Sequence, residues 1–341
     1  MKKKVKYFYF GAIMSALLFA AGCGNGNESS SAASTTEDSG KQHTFKLAHI
    51  TPTDHMWHQA SEKFGEELES RSEGRMKLEV YPASQLGTEA DMVQQIESGS
   101  IDFGLITAAY LSSRAPEFAA WFMPYGFKTL EEANEARKTD VAKEVLATVE
   151  GTGIKGLDYL FAGQRVMLFK DKEVKSPSDM NGLKLRVTPS PPMQDFYKSN
   201  GASPEGLPLP DVYAALQTGV IDGMDMDLDA TITNKYYEVA KYGAVTNHMV
   251  WPAVVLANEA KFDGLSQEDQ KIVHESLQAA IDFATTTRSG QEQEFRDELT
   301  NNGMTIYEIP SEEFEDQIKE FDHKYSKNSP LIKRFIETFR K

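Results

Sequence analysis

Hydrophobic positions change their period along the chain, and the changes mark out the elements. Met76, Leu78 and Val80 alternate with Lys77, Glu79 and Tyr81, the period of a half-buried strand. Phe45 and Leu47, with Ile50 after them, predict an earlier strand over residues 45–50. Between the two, Trp57, Ala60, Phe64 and Leu68 recur at helical spacing, and Gly74 closes that helix. Met92, Val93 and Ile96 predict a short helix ending near Gly99. Residues 101–106 form a near-continuous apolar run, as in a strand buried on both faces. Strand and helix alternating in this order predict a parallel sheet with helices on its faces.

A second region begins near Gly163. Residues 166–169 and 183–187 read as strands. Pro191-Pro192 and Pro210-Asp211 each open a helix, the latter carrying Val212 and Leu216 and stopping at Gly219. Val220-Ile221 predicts a short strand running into Asp222-Gly223, before a helix with Ile232, Tyr236 and Val239. Residues 250–256 are apolar again. From Ser266 to Asn302 the pattern is that of one long helix, with a capping-box-like start at Ser266 and Asp269 and a stop at Gly303. Two helices broken near Ser289-Gly290 are the alternative. A strand over residues 305–309 and acidic helices complete the chain, and no internal repeat is present.

The N-terminus has a different pattern. Lys2, Lys3, Lys4 and Lys6 precede an apolar stretch with Ile13, Leu17 and Phe19, which ends in Ala20-Ala21-Gly22 before Cys23. This is a secretory signal peptide over residues 1–22, with the chain's one cysteine at the cut. It resembles a bacterial lipobox, whose thiol is diacylated, although the usual leucine three residues earlier is Ala20. An ordinary secretory signal with a coincidental cysteine is the alternative. Residues 23–44, rich in serine and glycine at first, read as a tether between a lipid anchor at Cys23 and the folded part. The address is thus the bacterial cell membrane, facing the extracytoplasmic side, at the cell surface or in the periplasm.

Charge and composition then exclude classes. The chain of 341 residues carries 36 basic and 51 acidic side chains, a net charge of −15, or −19 without the four lysines of the leader. That balance argues against nucleic acid and against anionic lipid as the main partner, so the membrane is reached by the anchor alone. A single cysteine excludes a disulfide framework and cysteine-rich metal sites.

Catalytic chemistry is hard to find. His55 and His58 lie one turn apart beside Asp54, more in keeping with a hydrogen-bonded helix start than a metal site. Asp225, Asp227 and Asp229 mimic the opening of a calcium loop, but Ala230 and Tyr236 stand where it needs glycine and glutamate. No P-loop or nucleophile elbow occurs. No catalytic residue, metal or cofactor is expected.

Several segments together resemble the solute-binding proteins of tripartite ATP-independent periplasmic (TRAP) transporters, the DctP family. They are Leu47-Ala48-His49 with Thr51-Pro52 and His55, and the run from Gly74 to Gly87 that includes Val80-Tyr81-Pro82. Gly99-Ser100-Ile101-Asp102 and Asn181-Gly182-Leu183-Lys184-Leu185-Arg186-Val187 follow. The most specific stretch is Asp211-Val212-Tyr213-Ala214-Ala215-Leu216-Gln217-Thr218-Gly219-Val220-Ile221-Asp222-Gly223, before Tyr237-Glu238-Val239 and Thr246-Asn247-His248.

The resemblance implies an α/β, two-lobed clamshell of the periplasmic-binding-protein kind (type II-like), with a long helix spanning both lobes. Residues 45–163 and 252–291 would form lobe I, and residues 164–251 and 292–341 lobe II. It implies that Arg186, and with it Arg165, pairs with a solute carboxylate, for which a planar, permanently charged fork is suited. Lobe closure would then bury the solute and expel water. The family often reads Gln-Glu-Asn-Pro after Asp-Gly; here the run is Met224-Asp225-Met226-Asp227, so Asp225 keeps the acid and Met226 replaces the amide. Leu209 stands where an aromatic ring often packs, and Trp251 is a candidate replacement wall. Thr107 and Glu89 align with positions that face the cleft. A solute more apolar than a sugar acid or a plain C4-dicarboxylate is expected.

The implied partners are a small carboxylate solute and the small and large membrane subunits of a TRAP transporter, driven by an ion gradient. The binding protein itself would be a monomer and not an enzyme. An ABC-type solute-binding lipoprotein, or less readily a secreted enzyme acting on acidic sugars, remains the alternative.

Overall fold

The computed structural model describes residues 41–340; the leader, Cys23 and most of the tether lie outside the described residues. Two sheets organise the chain. The first has five strands in the order β2-β1-β3-β10-β4. They are β1 (His43–Ala48), β2 (Met76–Tyr81), β3 (Phe103–Thr107), β4 (Ile154–Gln164) and β10 (Val250–Asn258). β1 runs parallel to β2 and β3, with Leu47 opposite both Val80 and Phe103. β10 is antiparallel to β3 and β4, so the sheet is mixed rather than parallel. The reason is that β10 returns to this sheet from the other one and enters from the opposite end. Its nine residues are all buried, as the apolar run predicts for an inner strand.

The helix Met56–Arg71 turns Met56, Trp57, Ala60, Phe64 and Leu68 inward and packs against the helix Gln267–Arg288. Burying one such large apolar side chain is worth ~1.5–3 kcal/mol, so this stripe alone secures the layer. Glu89–Glu97 forms the second crossover helix, with Thr88 and Asp91 making a reciprocal cap.

The second sheet has six strands, ordered β11-β9-β5-β8-β6-β7. They are β5 (Val166–Phe169), β6 (Lys184–Val187), β7 (Ser203–Gly206), β8 (Gly223–Met226), β9 (Tyr242–Val245) and β11 (Thr305–Glu308). The strand expected at Val220-Ile221 starts three residues later. Gly219 ends the helix Val212–Thr218 in the left-handed region, at φ 76°, and Val220 is 58% exposed on the turn. Asp222 then docks on β6 through Lys184, whose N–H donates to its carboxylate at 2.8 Å. Only glycine fits next, because a Cβ at Gly223 would lie 2.4 Å from the carbonyl oxygen of Leu168 on β5.

The long helical pattern is two helices, Gln267–Arg288 and Glu292–Asn301, parted at Ser289-Gly290. The first packs on Met56–Arg71 and β4, the second on β11 and the helix Leu228–Thr233. The pair therefore joins the two halves across a break. Of the last helices, Glu315–Asn328 packs on Pro191–Ser199, and Pro330–Phe339 packs on the first half, with Phe335 against Trp121 and Phe127. Residues 330–339 thus sit with the first sheet although they follow β11.

Among the described residues no helix is long and apolar enough to cross a membrane.

Candidate binding cleft

β5, β8 and β6 lie side by side, and the expected binding residues sit at one end of them. Val166 faces Met226 across the antiparallel β5–β8 ladder, which sets Arg165 beside Asp227 just past the strand ends. Arg186 faces Met224 across the parallel β6–β8 pair. Because strand side chains alternate, Met226 and Asp225 point to opposite faces. Met226 lines a narrow cleft, together with Arg165, Arg186, Thr188, Leu209 and Asp227 of the second half. Thr51, His55, Trp57 and Trp251 close it from the first half.

Asp225 stands behind this surface. Burial alone would raise its carboxyl, but Arg165 and hydrogen bonds from His248 and Tyr197 hold it below the usual range. The partners are close: Arg165 is in direct contact, the Tyr197 hydroxyl donates at 2.8 Å and His248 Nε2 lies at 2.9 Å. The His248 ring lies face to face with Phe196, at 5.1 Å between centroids. Arg165 also donates Nη1 to Asp227 at 3.0 Å and rests on the face of Trp251, its guanidinium carbon 3.9 Å from the ring centre. Its fork is therefore neutralised by two carboxylates and covered by an indole.

Arg186 is placed differently. It is 2% exposed, and Nε donates to the carbonyl of Leu207 at 2.9 Å. Among the described residues no carboxylate lies within ion-pair distance of its guanidinium. Burial pulls its pKa down to about 10, helped by the nearby charge of Arg165, and the hydroxyl of Tyr236 and the acids Asp225 and Glu89 act against that pull. It stays protonated at neutral pH and faces the cleft as a cation in want of an anion.

Leu209 and Glu89 border an adjoining hollow with Ile50, Tyr110 and Pro208. Glu89 is buried, accepts the backbone N–H of Thr107 at 2.6 Å, and has its pKa pushed up to about 7 by desolvation. Thr107 is fully buried beneath it, its hydroxyl capping Tyr110, and does not line the cleft. Two expected residues, Asp225 and Thr107, are thus supports behind the cleft surface. Thr188, Thr51 and Trp57 line the cleft without having been expected there.

The halves meet at Asp229. Its carboxylate accepts the N–H of Met56 at 3.0 Å and pairs with Arg288, while His55 Nε2 lies 3.4 Å away. His55 Nδ1 accepts from Trp57 N at 3.1 Å, so Nε2 carries the proton of the neutral ring. His58 instead faces His49, at 3.1 Å, and Asp54 is exposed. The trio Asp54, His55 and His58 does not converge, and no metal-binding cluster is found among the described residues.

The model of a known family, DctP, described as bacterial extracellular solute-binding protein, family 7, matches residues 47–329. The chain belongs to the DctP family.

A solute-binding protein of Roseobacter denitrificans is 30% identical over 279 residues, covering 81% of this chain and 85% of the relative. Its crystal structure with bound L-galactonate superposes with a TM-score of 0.81 at 28% identity, covering 87% of this chain and 99% of that one. The 2,3-diketo-L-gulonate-binding periplasmic protein of Escherichia coli is 30% identical over 249 residues, covering 73% and 76% of the two chains. A TRAP solute-binding protein from Bordetella, with density interpreted as pantoate, gives a TM-score of 0.82 at 25% identity, covering 86% and 98%. The two-lobed α/β architecture is that of these DctP relatives.

Proposed function

We propose that the cleft captures a small organic acid by seating its carboxylate on Arg186. The chain acts as the solute-binding protein of a TRAP transporter and is not an enzyme. The observation that carries the site assignment is Arg186 itself, a buried guanidinium with one backbone partner at 2.9 Å and no acid of its own. A bidentate carboxylate completes its hydrogen bonds and its charge balance. Met226, Leu209 and Trp251 supply adaptable apolar surface around the rest of the solute. This favours an acid less hydroxylated than the L-galactonate of the Roseobacter relative, and nearer the pantoate of the Bordetella one.

Residues 45–163 with 252–291, and 164–251 with 292–341, close as lobes on the solute, the last helix and the first residues of β10, Val250 and Trp251, travelling with the first lobe. The closed form, a monomer, docks on a small and a large membrane subunit that draw on an ion gradient. Cys23 carries the lipid anchor that keeps the protein on the extracytoplasmic side of the membrane. No observation here favours the ABC-type or enzymatic alternatives.

Thermal-shift screening against a panel of acids and neutral sugars tests the site. A ligand at 100 times its Kd adds ~2.7 kcal/mol, enough to move Tm by a few degrees. Shifts with acids that vanish in Arg186→Ala support the reading. Shifts with neutral sugars alone would overturn it. Cys23→Ser should release the protein from the membrane fraction, and its retention there would refute the anchor.

A further inference from the structure

Arg165 and Arg186 line the same cleft, yet their surroundings have opposite charge. Arg165 is shared by Asp225 and Asp227, and its face is taken by Trp251. One positive charge between two negative ones leaves that end of the cleft net negative. Arg186 keeps its charge unopposed by any ion-pair partner among the described residues. Asp227 is itself part of the cleft lining, with Arg186. It is held rigidly: Oδ2 accepts from Arg165 at 3.0 Å, and Oδ1 accepts the N–H of Ala230 at 2.8 Å as the cap of the helix Leu228–Thr233.

We propose that Asp227 is a specificity-determining residue that restricts the solute to a single carboxylate, the one on Arg186. The inference rests on Arg186 being the carboxylate seat. In a cleft this narrow, lined by both Arg186 and Asp227, a second carboxylate a few bonds from the first comes into the neighbourhood of Asp227. Arg165 offers it only Nη2, which has no hydrogen-bond partner, and the charge of Arg165 is already balanced by two acids. A second carboxylate therefore meets like charge in a desolvated space and is rejected by repulsion rather than by lack of contact. The far end of the solute is instead neutral, or carries a hydroxyl or N–H that Asp227 accepts.

Isothermal titration of the full chain with pairs of acids sharing a skeleton tests this. Suitable pairs are butyrate and succinate, 2-hydroxybutyrate and malate, and 2-oxopentanoate and 2-oxoglutarate. The monoacid should bind at least tenfold tighter in each pair that binds. Asp227→Asn removes the charge and, with one acceptor oxygen, keeps either the helix cap or the acceptor for Arg165, and should narrow the ratio at least tenfold by a gain in diacid affinity. A diacid that binds the wild type as tightly as its monoacid overturns the inference, and so does a ratio unchanged in Asp227→Asn. Should Asp227→Asn not fold, as judged by its melting curve, the wild-type ratios decide alone. If no acid binds, or if Arg186→Ala binds as well as wild type, the reading of Arg186 fails first and this inference falls with it.

Discussion

The carboxylate of Glu89 accepts the backbone N–H of Thr107 at 2.6 Å inside the first lobe, at the edge of the cleft. Burial raises its pKa from 4.5 to about 7. An acid with a raised folded-state pKa is easiest to bury when protonated. Its stabilising contribution is therefore full below pH 4.5 and is lost as the pH rises to about 7. Over that window the loss is on the order of 3 kcal/mol. Glu89→Gln stays neutral throughout, so its Tm minus that of wild type should grow from pH 4.5 to 7 and then level off. A difference flat across this range would show that Glu89 titrates normally.

Arg186→Ala should cost ~2–5 kcal/mol of solute binding, the range for truncating one side of a buried charge pair. Titration calorimetry with the best acid from the thermal-shift screen measures this directly. Arg186→Lys should restore only part, since a point charge cannot replace a planar fork. Equal affinity in all three proteins would exclude Arg186 from the site.

Asp229→Ala should weaken the closed state. It strips the N–H of Met56 of its acceptor and leaves the buried Arg288 without its acid. The affinity should fall about 10- to 100-fold through the lost closure, at 1.4 kcal/mol per factor of ten. Small-angle scattering should show a larger radius of gyration in the presence of solute than the wild type has. An unchanged radius and affinity would mean that this contact does not hold the lobes together.

Met226→Asn puts an amide where the thioether faces the cleft, and should move the ranking of ligands toward hydroxylated acids by roughly tenfold, about one well-placed hydrogen bond. Competition titration with acids differing by one hydroxyl reads the ratio. An unaltered ranking would place Met226 outside solute contact.

In the first half β2 was legible from its alternation and β3 from its continuous apolar run. Val220 misled because its apolar side chain is spent on a turn, and a strand start is set there by Asp222 reaching β6. The place of Arg186 in the cleft lining was legible through its motif. The place of Asp227 was not, since it depends on the β5–β8 register that sets it beside Arg165. Nor could the sequence place Asp225 behind the cleft surface, because Tyr197 and His248, which hold it there, are 28 and 23 residues away along the chain. Thr51 and Trp57 come to the cleft only when the lobes meet, and no local period encodes that meeting.

The path of the chain between the sheets has an evolutionary consequence. It passes from one half to the other at the β4–β5 junction, before β10, at Ser289-Gly290 and again before Pro330–Phe339. Neither half is a continuous stretch of gene. A single recombination event cannot exchange one lobe for that of a relative without leaving mismatched core surfaces. Diversification toward new solutes must therefore proceed by point substitution at positions such as 209, 226 and 227. Each such step changes the lining while the scaffold that closes on it is inherited whole.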